Sequence, residues 1–332
     1  MKQGKLTNDQ LQKFIIDKIT PKNAETVVGA GVGEDCCAVR LTDGLCVVST
    51  DPITASSEQT GILAIHINAN DIAAAGAKPI AALVTLLIPP SATEERISKV
   101  MQQLIQTAEG LGIDIIGGHT EVTDSVNRLI VSVTMIGKPV MPGRIFKTAD
   151  MKVGEDIILT KYAALEGTSI IASDFAKELE GLLNEDDQKQ LMQIGELLSV
   201  VKDGTIAATV AGVSAMHDVT EGGVIGALCE MCDASGTGAE VDFNKIPIYP
   251  ITQKICDHYG IDVFGLISSG SMLITAQNGG AVIEALRAAG VGATVIGKVT
   301  EQGVFDISGG KRREIAPYRA DELYKVLKTR SF

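Results

Sequence analysis

Tryptophan is absent from this 332-residue sequence, and aromatic residues make up only 4% of it. Basic residues are also scarce, because 29 Lys and Arg stand against 41 Asp and Glu, a net charge of −12. A nucleic-acid surface needs clustered Lys and Arg to neutralise phosphates, and single-stranded nucleic acid stacks on aromatic side chains. The composition therefore excludes a nucleic-acid partner. It is compatible with ATP as a ligand if metal ions supply the positive charge that the phosphates require.

Long apolar runs are missing as well. The longest, Ile80 to Pro90, is too short to cross a bilayer and ends in two prolines. Residues 1–20 mix Lys and Asp through their apolar positions, unlike an export signal. Six cysteines in a chain of this length are typical of free thiols in a reducing compartment. We expect a cytoplasmic protein that does not contact a membrane.

Hydrophobic patterning predicts two halves, 1–145 and 146–332. The first half is predicted to contain strands at Leu45–Thr50, Ile80–Ile88 and Arg128–Gly137 and helices at Gln59–Gly76 and Ser91–Gly110, the second of them with a capping box of Ser91 and Glu94. The second half alternates strands and helices, which is typical of an α/β layer domain. The strands of the first half are apolar on both faces. This predicts helices over one face and a second subunit over the other.

Five short segments place a carboxylate beside Gly, Asn, Ser or Thr at the end of an apolar run. They are Gly31–Asp35, Ser49–Pro52, Asn70–Asp71, Gly117–Glu121 and His217–Gly223. Carboxylates bind hard cations such as Mg²⁺, and glycines let backbone N–H groups approach phosphate. Any one segment is more simply explained as a helix cap or turn. Five together favour a metal-assisted phosphate site.

Common nucleotide-binding signatures are absent. No Gly-x-x-x-x-Gly-Lys-Ser/Thr sequence occurs, which excludes a P-loop ATPase. Gly29, Gly31 and Gly33 are spaced too densely for a dinucleotide fingerprint and precede a strand rather than a helix.

Taken in order, these motifs resemble the aminoimidazole ribonucleotide synthetase (PurM-like) superfamily over nearly the whole chain. The segments that carry the resemblance are Gly33–Asp35, Ser49–Asp51, Asn70–Pro79, Gly117–Thr120 and Asp218–Gly223. The resemblance implies a two-domain PurM-like ATP-binding fold of the α/β (α+β) class. Strands of the N-terminal domain would form a dimeric β-barrel, and a C-terminal α/β domain would close over ATP.

The resemblance also implies roles for individual residues. Asp35, Asp51 and Asp71 become the Mg²⁺ ligands, with Glu121 as a further metal ligand beside His119, which stands where some members have an acid. Asp218 is the acid that completes the cleft. The residues expected near the nucleotide are Gly31, Gly33, Asn70, Gly117, Gly118, Thr120 and Lys161. For His217 two roles stay open, a proton donor to phosphate or a hydrogen-bond partner of a site residue.

Within the superfamily the segment from Asp218 to Gly270 looks most like HypE, a hydrogenase maturation protein that uses ATP to dehydrate a carboxamide on its own C-terminal cysteine. The last cysteine here is Cys256 and the chain ends at Phe332, so we expect no such self-dehydration. The main hypothesis is a homodimeric Mg-ATP-dependent enzyme that phosphorylates an amide or carboxylate oxygen. Its acceptor would be a small molecule or a partner protein of a maturation pathway.

Two alternatives remain from the sequence. One is a small-molecule kinase similar to thiamine-monophosphate kinase, and the other is an ATP-binding regulatory partner with little turnover. Cys229 and Cys232 form a Cys-x-x-Cys pair inside a helical run, but without a second pair they are better explained as buried thiols.

Overall fold

The computed structural model describes residues 8–14, 16–18, 26–28, 31–42, 44–54 and 58–328; Gly29 and residues 329–332 lie outside them. The described α-helices are α1 (Asn8–Phe14), α2 (Thr60–Ala74), α3 (Glu94–Leu111), α4 (Leu165–Asp174), α5 (Glu185–Glu196), α6 (Val201–Ala207), α7 (Gly223–Ser235), α8 (Pro250–Tyr259), α9 (Gly279–Ala288) and α10 (Leu323–Leu327). Of these described helices, none has the length and apolar character needed to span a membrane.

The described strands form two sheets. They are β1 (Thr26–Val28), β2 (Cys37–Leu41), β3 (Gly44–Ile53), β4 (Ala77–Ile88), β5 (Asp114–Val122), β6 (Ile130–Pro139), β7 (Asp156–Thr160), β8 (Val213–Asp218), β9 (Gly238–Val241), β10 (Met272–Ala276), β11 (Ala293–Thr300), β12 (Val304–Asp306) and β13 (Arg313–Glu314). The N-sheet has the order β1-β2-β3-β6-β4-β5, and the C-sheet has the order β13-β12-β9-β11-β7-β10-β8.

One face of the N-sheet is covered by helices of the same chain, and the other is not. Val131, Val133 and Met135 of β6 are fully buried and share a core with side chains of α2 and α3. The alternate residues of β6 are partly exposed, and Ile80 and Leu83 of β4 are each 39% exposed. We call this partly exposed apolar surface the open face.

The C-sheet, in contrast, is covered on both faces at its centre. Ile157 and Leu159 of β7 pack in one core with the apolar residues of α7. Ile158, between them, points to the opposite face and packs in a second core with Val282 and Leu286 of α9. All three β7 side chains are fully buried. Such two-sided burial is typical of an α/β layer, as the alternation of strands and helices predicts.

Helix α2 joins the two halves. Asn70 on α2 donates from Nδ2 to the Leu198 carbonyl at 2.9 Å, and its Oδ1 accepts from the Val200 N–H at 2.8 Å. One turn into α6, Gly204 lies so close to α2 that a Cβ there would stand 2.3 Å from the Ala73 carbonyl oxygen. Only glycine permits this approach.

Several predicted boundaries are wrong. Thr93, not Ser91, caps α3, because Thr93 is extended and its side chain accepts a bond from the Arg96 N–H. Residues 197–200 separate α5 from α6. Three elements were not predicted from the sequence, β5, β8 and α8. In β5, two adjacent glycines and an exposed surface hide the strand pattern.

Candidate functional site

A cavity of about 710 Å³ lies between the elements of the N-terminal and C-terminal halves. Its volume falls within the roughly 300–1,000 Å³ range of ligand pockets. The loop before β2, β3, α2, β8 and residues 321–324 supply its walls. Seven of the predicted site residues line it, namely Gly31, Gly33, Asp35, Asp51, Asp71, His217 and Asp218. The fold thus brings together acids that are far apart in the sequence.

Asp71, on the last turn of α2, is only 5% exposed. Ser49 of β3 donates from Oγ to Oδ2 of Asp71 at 2.5 Å. Burial raises the pKa of Asp71 well above its ordinary value, and the carboxylates of Asp218, Asp51 and Asp35 raise it further. These groups repel one another when ionised, so a divalent cation bound among them relieves the repulsion.

Asp51, near the end of β3, is fixed through its backbone by a residue that the sequence analysis missed. Asn68 of α2 is fully buried, accepts from the Asp51 N–H at 2.7 Å and donates to the Asp51 carbonyl at 3.2 Å. The signal was available, since Asn68 is a polar residue inside an otherwise apolar helix. Its role is to hold β3 and α2 in register at the site.

His217 bridges two carboxylates. Its Nδ1 lies 2.8 Å from Oδ2 of Asp35, and its Nε2 lies 3.0 Å from Oε2 of Glu230 on α7. Burial alone lowers the pKa of His217, but the two carboxylates outweigh burial and hold the pKa well above its ordinary value. With a carboxylate oxygen within 3.0 Å of each ring nitrogen, His217 positions Asp35 on the wall of the cavity.

The Asp35 side of the cavity is also compact. One ligand atom each from Asp35, His217 and Asp218 lie within 4.8 Å of one another, and no other group of three His, Cys, Asp or Glu in the described chain does so. Gly33, with φ +75°, lets the loop settle on α7, where a Cβ would stand 3.3 Å from the Glu230 carbonyl. Of these three residues, Asp35 and Asp218 offer the oxygen ligands that suit Mg²⁺.

A second acidic group lines the other part of the cavity and was not predicted. Glu166 at the start of α4 is 2% exposed, and Asp321 is 3% exposed. Burial raises the pKa of Glu166 to about 7 and that of Asp321 to about 6. Glu221 and Ser269 line the cavity beside them. We call these four residues the Glu166 end, and Asp35, Asp51, Asp71 and Asp218 the aspartate end.

No Lys or Arg of the described residues lines this cavity. The single basic side chain in its wall is His217, which the bonds to Asp35 and Glu230 already engage. Among the described residues, no Lys or Arg side chain is placed to neutralise a triphosphate in this cavity. Cations must therefore enter with any nucleotide that binds.

The structure places four predicted site residues, Gly117, Gly118, Thr120 and Glu121, away from this cavity. All four lie on β5, the edge strand, and none lines the cavity. In the sheet β6 and β4 stand between β3 and β5, so β5 is about 14 Å from β3 at roughly 4.8 Å per strand. Glu121 is 55% exposed and pairs with His119 at 3.6 Å instead of joining the aspartates.

Asn70 and Lys161 also lie outside this cavity, contrary to their predicted contact with the nucleotide. The amide of Asn70 is saturated by backbone groups of residues 198 and 200. Lys161 is buried, and its Nζ pairs with Oδ1 of Asp203 at 2.9 Å and donates to the Ser199 carbonyl at 2.7 Å. The Asn70 amide thus links α2 to the segment before α6, whereas Lys161 pairs with residues of its own C-terminal half.

Known proteins share the sequence pattern. The AIR synthase related protein N-terminal domain matches residues 33–138, and the AIR synthase related protein C-terminal domain matches residues 152–309. A Methanocaldococcus jannaschii protein, provisionally named a hydrogenase expression/formation protein, is 29% identical over 305 residues, 88% of each chain. The carbamoyl dehydratase HypE of Cupriavidus necator is 26% identical over 282 residues, 82% of this chain and 78% of that one.

Solved structures share the fold. A HypE–HypF complex matches with a TM-score of 0.75 at 20% identity, over 93% of this chain and 99% of that one. HypE in complex with ATP gives 0.72 at 19%, over 97% of each chain. Aquifex thiamine-monophosphate kinase with AMPPCP and TMP gives 0.71 at 18%, over 93% and 94%. At these identities the likeness establishes the two-domain fold.

Proposed function

The chain belongs to the AIR synthase related protein family, and we propose that it is a Mg-ATP-dependent enzyme of the HypE type that activates an amide oxygen by phosphorylation. One observation carries this proposal: four aspartates converge in a cavity that the described part of the chain lines without any Lys or Arg. The relatives named carbamoyl dehydratase HypE support ATP-dependent activation of an amide.

Mg²⁺ is the cation that best fits these ligands. Asp35, Asp51, Asp71 and Asp218 offer oxygen ligands, and the repulsion that raises the pKa of Asp71 favours a divalent cation in their midst. When bound, Mg²⁺ would neutralise the phosphates and orient the terminal one for transfer. Gly31 and Gly33 would bring backbone N–H groups to the phosphates. His217 and Glu230 would keep Asp35 in place throughout.

The charge of the cavity limits the chemical class of the phosphoryl acceptor. Both ends carry carboxylates, so an anionic carboxylate acceptor would meet repulsion that a neutral amide avoids. The amide would therefore be the acceptor, carried by a small molecule or by a partner protein. The structure of a HypE–HypF complex supports a maturation partner, and we propose a cytoplasmic location, where the six cysteines would remain free thiols.

We further propose a homodimer formed through the open face of the N-sheet. The exposed apolar residues Ile80 and Leu83 support it, since an apolar face of this kind is typical of an interface. A second copy would also give β5 a place in the site. Gly117, Gly118 and Thr120 would then approach the nucleotide of the partner rather than their own.

A kinase resembling thiamine-monophosphate kinase is the second candidate, because that enzyme shares the fold. The test measures ATP binding by calorimetry with Mg²⁺ and with excess chelator, followed by ADP release with carboxamides and with thiamine monophosphate. We expect binding only with Mg²⁺ and ADP release only with carboxamides. Equal ATP affinity in chelator contradicts the metal-dependent site. Release with thiamine monophosphate supports the kinase, and binding without any release supports a regulatory role.

A further inference from the structure

We propose that a second cavity of this protein binds, without a metal ion, a planar organic ring that carries an oxyanion such as a carboxylate. The second cavity has a volume of about 780 Å³, close to that of the candidate site. It is lined by Lys161 and Tyr162 after β7, Lys202 of α6, Tyr249 before α8 and the turn 290–294. No residue lines both cavities, so the inference goes beyond the proposed function and does not depend on it.

The first observation is a buried ammonium group that has more donors than acceptors. Lys161 is 7% exposed, and its Nζ lies 2.9 Å from Oδ1 of Asp203 and donates to the Ser199 carbonyl at 2.7 Å. An ammonium has three N–H donors, and within the described chain Nζ contacts only these two acceptors. A buried donor without an acceptor is unfavourable. An oxygen atom of a ligand in the second cavity would accept from the third N–H.

The second observation is another lysine in the same lining. Lys202 is exposed, and no ion pair among the described residues engages it. Its Nζ would lie 3.9 Å from a Cβ on Gly290, so the ammonium extends toward the turn that forms another part of the lining. The carboxylates of the lining are Asp203, which Lys161 pairs, and Glu196, which is exposed. The lining is therefore neutral overall, unlike the acidic candidate site, and an oxyanion can contact two ammonium groups there.

Two tyrosines supply a surface for a planar ring. The rings of Tyr162 and Tyr249 have centroids 4.2 Å apart and an interplanar angle of 40°. Both residues line the second cavity and are half-buried. Aromatic rings pack favourably against one another in offset or edge-to-face arrangements. The tyrosine pair therefore favours a ligand with a ring over a small anion such as acetate.

The backbone at Lys161 explains how a cation and a ring come to lie side by side. Apart from glycines, only Lys161 and Ala164 of the described residues have left-handed backbone, with φ of +54° and +59°. The Lys161 N–H donates to the Gly292 carbonyl at 2.8 Å, which fixes this loop against the turn 290–294. Consecutive residues of a strand point to opposite faces, whereas this turn lets Lys161 and Tyr162 line one cavity. Such strained residues cluster where a protein holds a ligand.

The test uses benzoate, benzamide and benzamidinium, which share one shape and differ in charge, and acetate, which lacks the ring. Binding to the full chain in metal-free buffer is followed by NMR of labelled tyrosine rings, assigned with single Tyr→Phe variants. Tyr324 lines the candidate site, so its signal distinguishes the two cavities. We expect benzoate to shift the Tyr162 and Tyr249 signals but not that of Tyr324. It should bind about tenfold more tightly than benzamide or acetate, and benzamidinium should not shift these two signals.

Variants show whether the two lysines hold the anion. Lys202→Gln should reduce the preference for benzoate over benzamide about tenfold, whereas Lys177→Gln, at an exposed lysine outside both cavities, should not change it. Replacing Lys161 alone would leave Asp203 buried without its cation, so Lys161→Met is combined with Asp203→Asn and should also reduce the preference. The inference is overturned if benzoate shifts neither tyrosine signal, if benzamidinium binds there as tightly, or if both lysine variants keep the full preference.

Discussion

The aspartate end and strand β5 carry the same kind of motif, a carboxylate next to small or polar residues. The fold places the first in a cavity and the second at the edge of a sheet. Asp35, Asp51, Asp71 and Asp218 converge in one cavity, with Asp71 nearly inaccessible. Gly117 to Glu121 lie on the sheet edge, and His119 and Glu121 are more than half exposed. The aspartate end is thus built within one chain, whereas β5 lies away from that cavity.

Strand order explains the difference. β3 and β4 are separated in the sheet by β6, and β5 then adds to the outer side of β4 as its parallel neighbour. The helix α2 returns under β3 and β6, which places Asp71 beside β3. Motifs therefore meet when their elements are adjacent in space, and order along the chain does not decide this. Substitutions in the aspartate end and in β5 should therefore differ in how much they change the affinity for Mg-ATP.

The largest effect is expected at the aspartate end. Asp71→Asn should weaken Mg-ATP binding by about 100-fold or more in calorimetry, because a metal ligand loses its charge. Without metal the same variant should be at least as stable in urea as the wild type, since burial and, after it, the neighbouring carboxylates raise the pKa of Asp71, and the substitution removes the charge that both disfavour. Cys232→Ser, at a buried position of α7, is the control and should bind normally. A near-normal affinity for Asp71→Asn removes that residue from the site.

A smaller loss of Mg-ATP affinity is expected when the proposed dimer is dissociated, because β5 is then separated from the second subunit. Replacing Ile80 and Leu83 on the open face with Asp should give a monomer in light scattering. Mg-ATP affinity should then fall about 30-fold, the value of one or two lost hydrogen bonds. Leu41→Asp is the matched control, because Leu41 is 59% exposed and lies on β2. A wild-type protein that is already monomeric contradicts the dimer and leaves β5 without a role in binding.

A still smaller effect on ATP binding is expected at Glu230, which contacts the aspartate end only through His217. Glu230→Gln keeps the shape of the side chain but removes the charge that holds His217 against Asp35. The Mg²⁺ concentration needed for half-maximal ATP binding should rise about tenfold, as is usual for groups that orient a metal ligand. Asp233→Asn, on the same helix and bonded to Asn8, should have no effect. If both variants behave alike, the bridge through His217 does not position Asp35.

The smallest effect is expected on β5 itself. Thr120→Ala should weaken Mg-ATP binding about threefold in the dimer, by the loss of one hydrogen bond. In the monomeric Ile80 and Leu83 variant the same substitution should change nothing. This double-mutant comparison isolates the contribution that β5 makes across the interface. Equal losses in both backgrounds indicate that Thr120 acts within its own chain.

The sequence predicted the fold well where apolar periodicity is strong. The alternating faces of β6 and the two-sided burial of β7 follow directly from their residues. The ends of helices were harder to predict. Ser91 and Thr93 are both good caps, and only the backbone geometry selects Thr93. Strand β5 was not predicted because its apolar residues do not alternate with polar ones and two adjacent glycines follow them.

At the candidate site, the acids beside glycine or at strand ends could be predicted from the sequence, and their supports could not. Asn68 and Glu230 act through a backbone group and through His217, and they carry no motif of their own. Glu166 and Asp321 become cavity residues only because distant segments close over them. Asn70 and Lys161 have residue types suited to phosphate, but their tertiary partners engage them elsewhere.

The contact between α2 and α6 has a consequence for synthesis of the chain. Ala73 and Ala74 of α2 share a core with Val200, Ala207 and Ala208, and Gly204 closes directly over α2. At a synthesis rate of about 5–20 residues per second, the ribosome adds Gly204 about ten seconds after Ala73. During that interval the central helix of the N-terminal half has one side uncovered. The N-terminal half therefore completes this packing only after α6 has been synthesised. The time during which a chaperone would bind the uncovered side of α2 is set by the number of residues that separate Asn70 from its backbone partners along the chain.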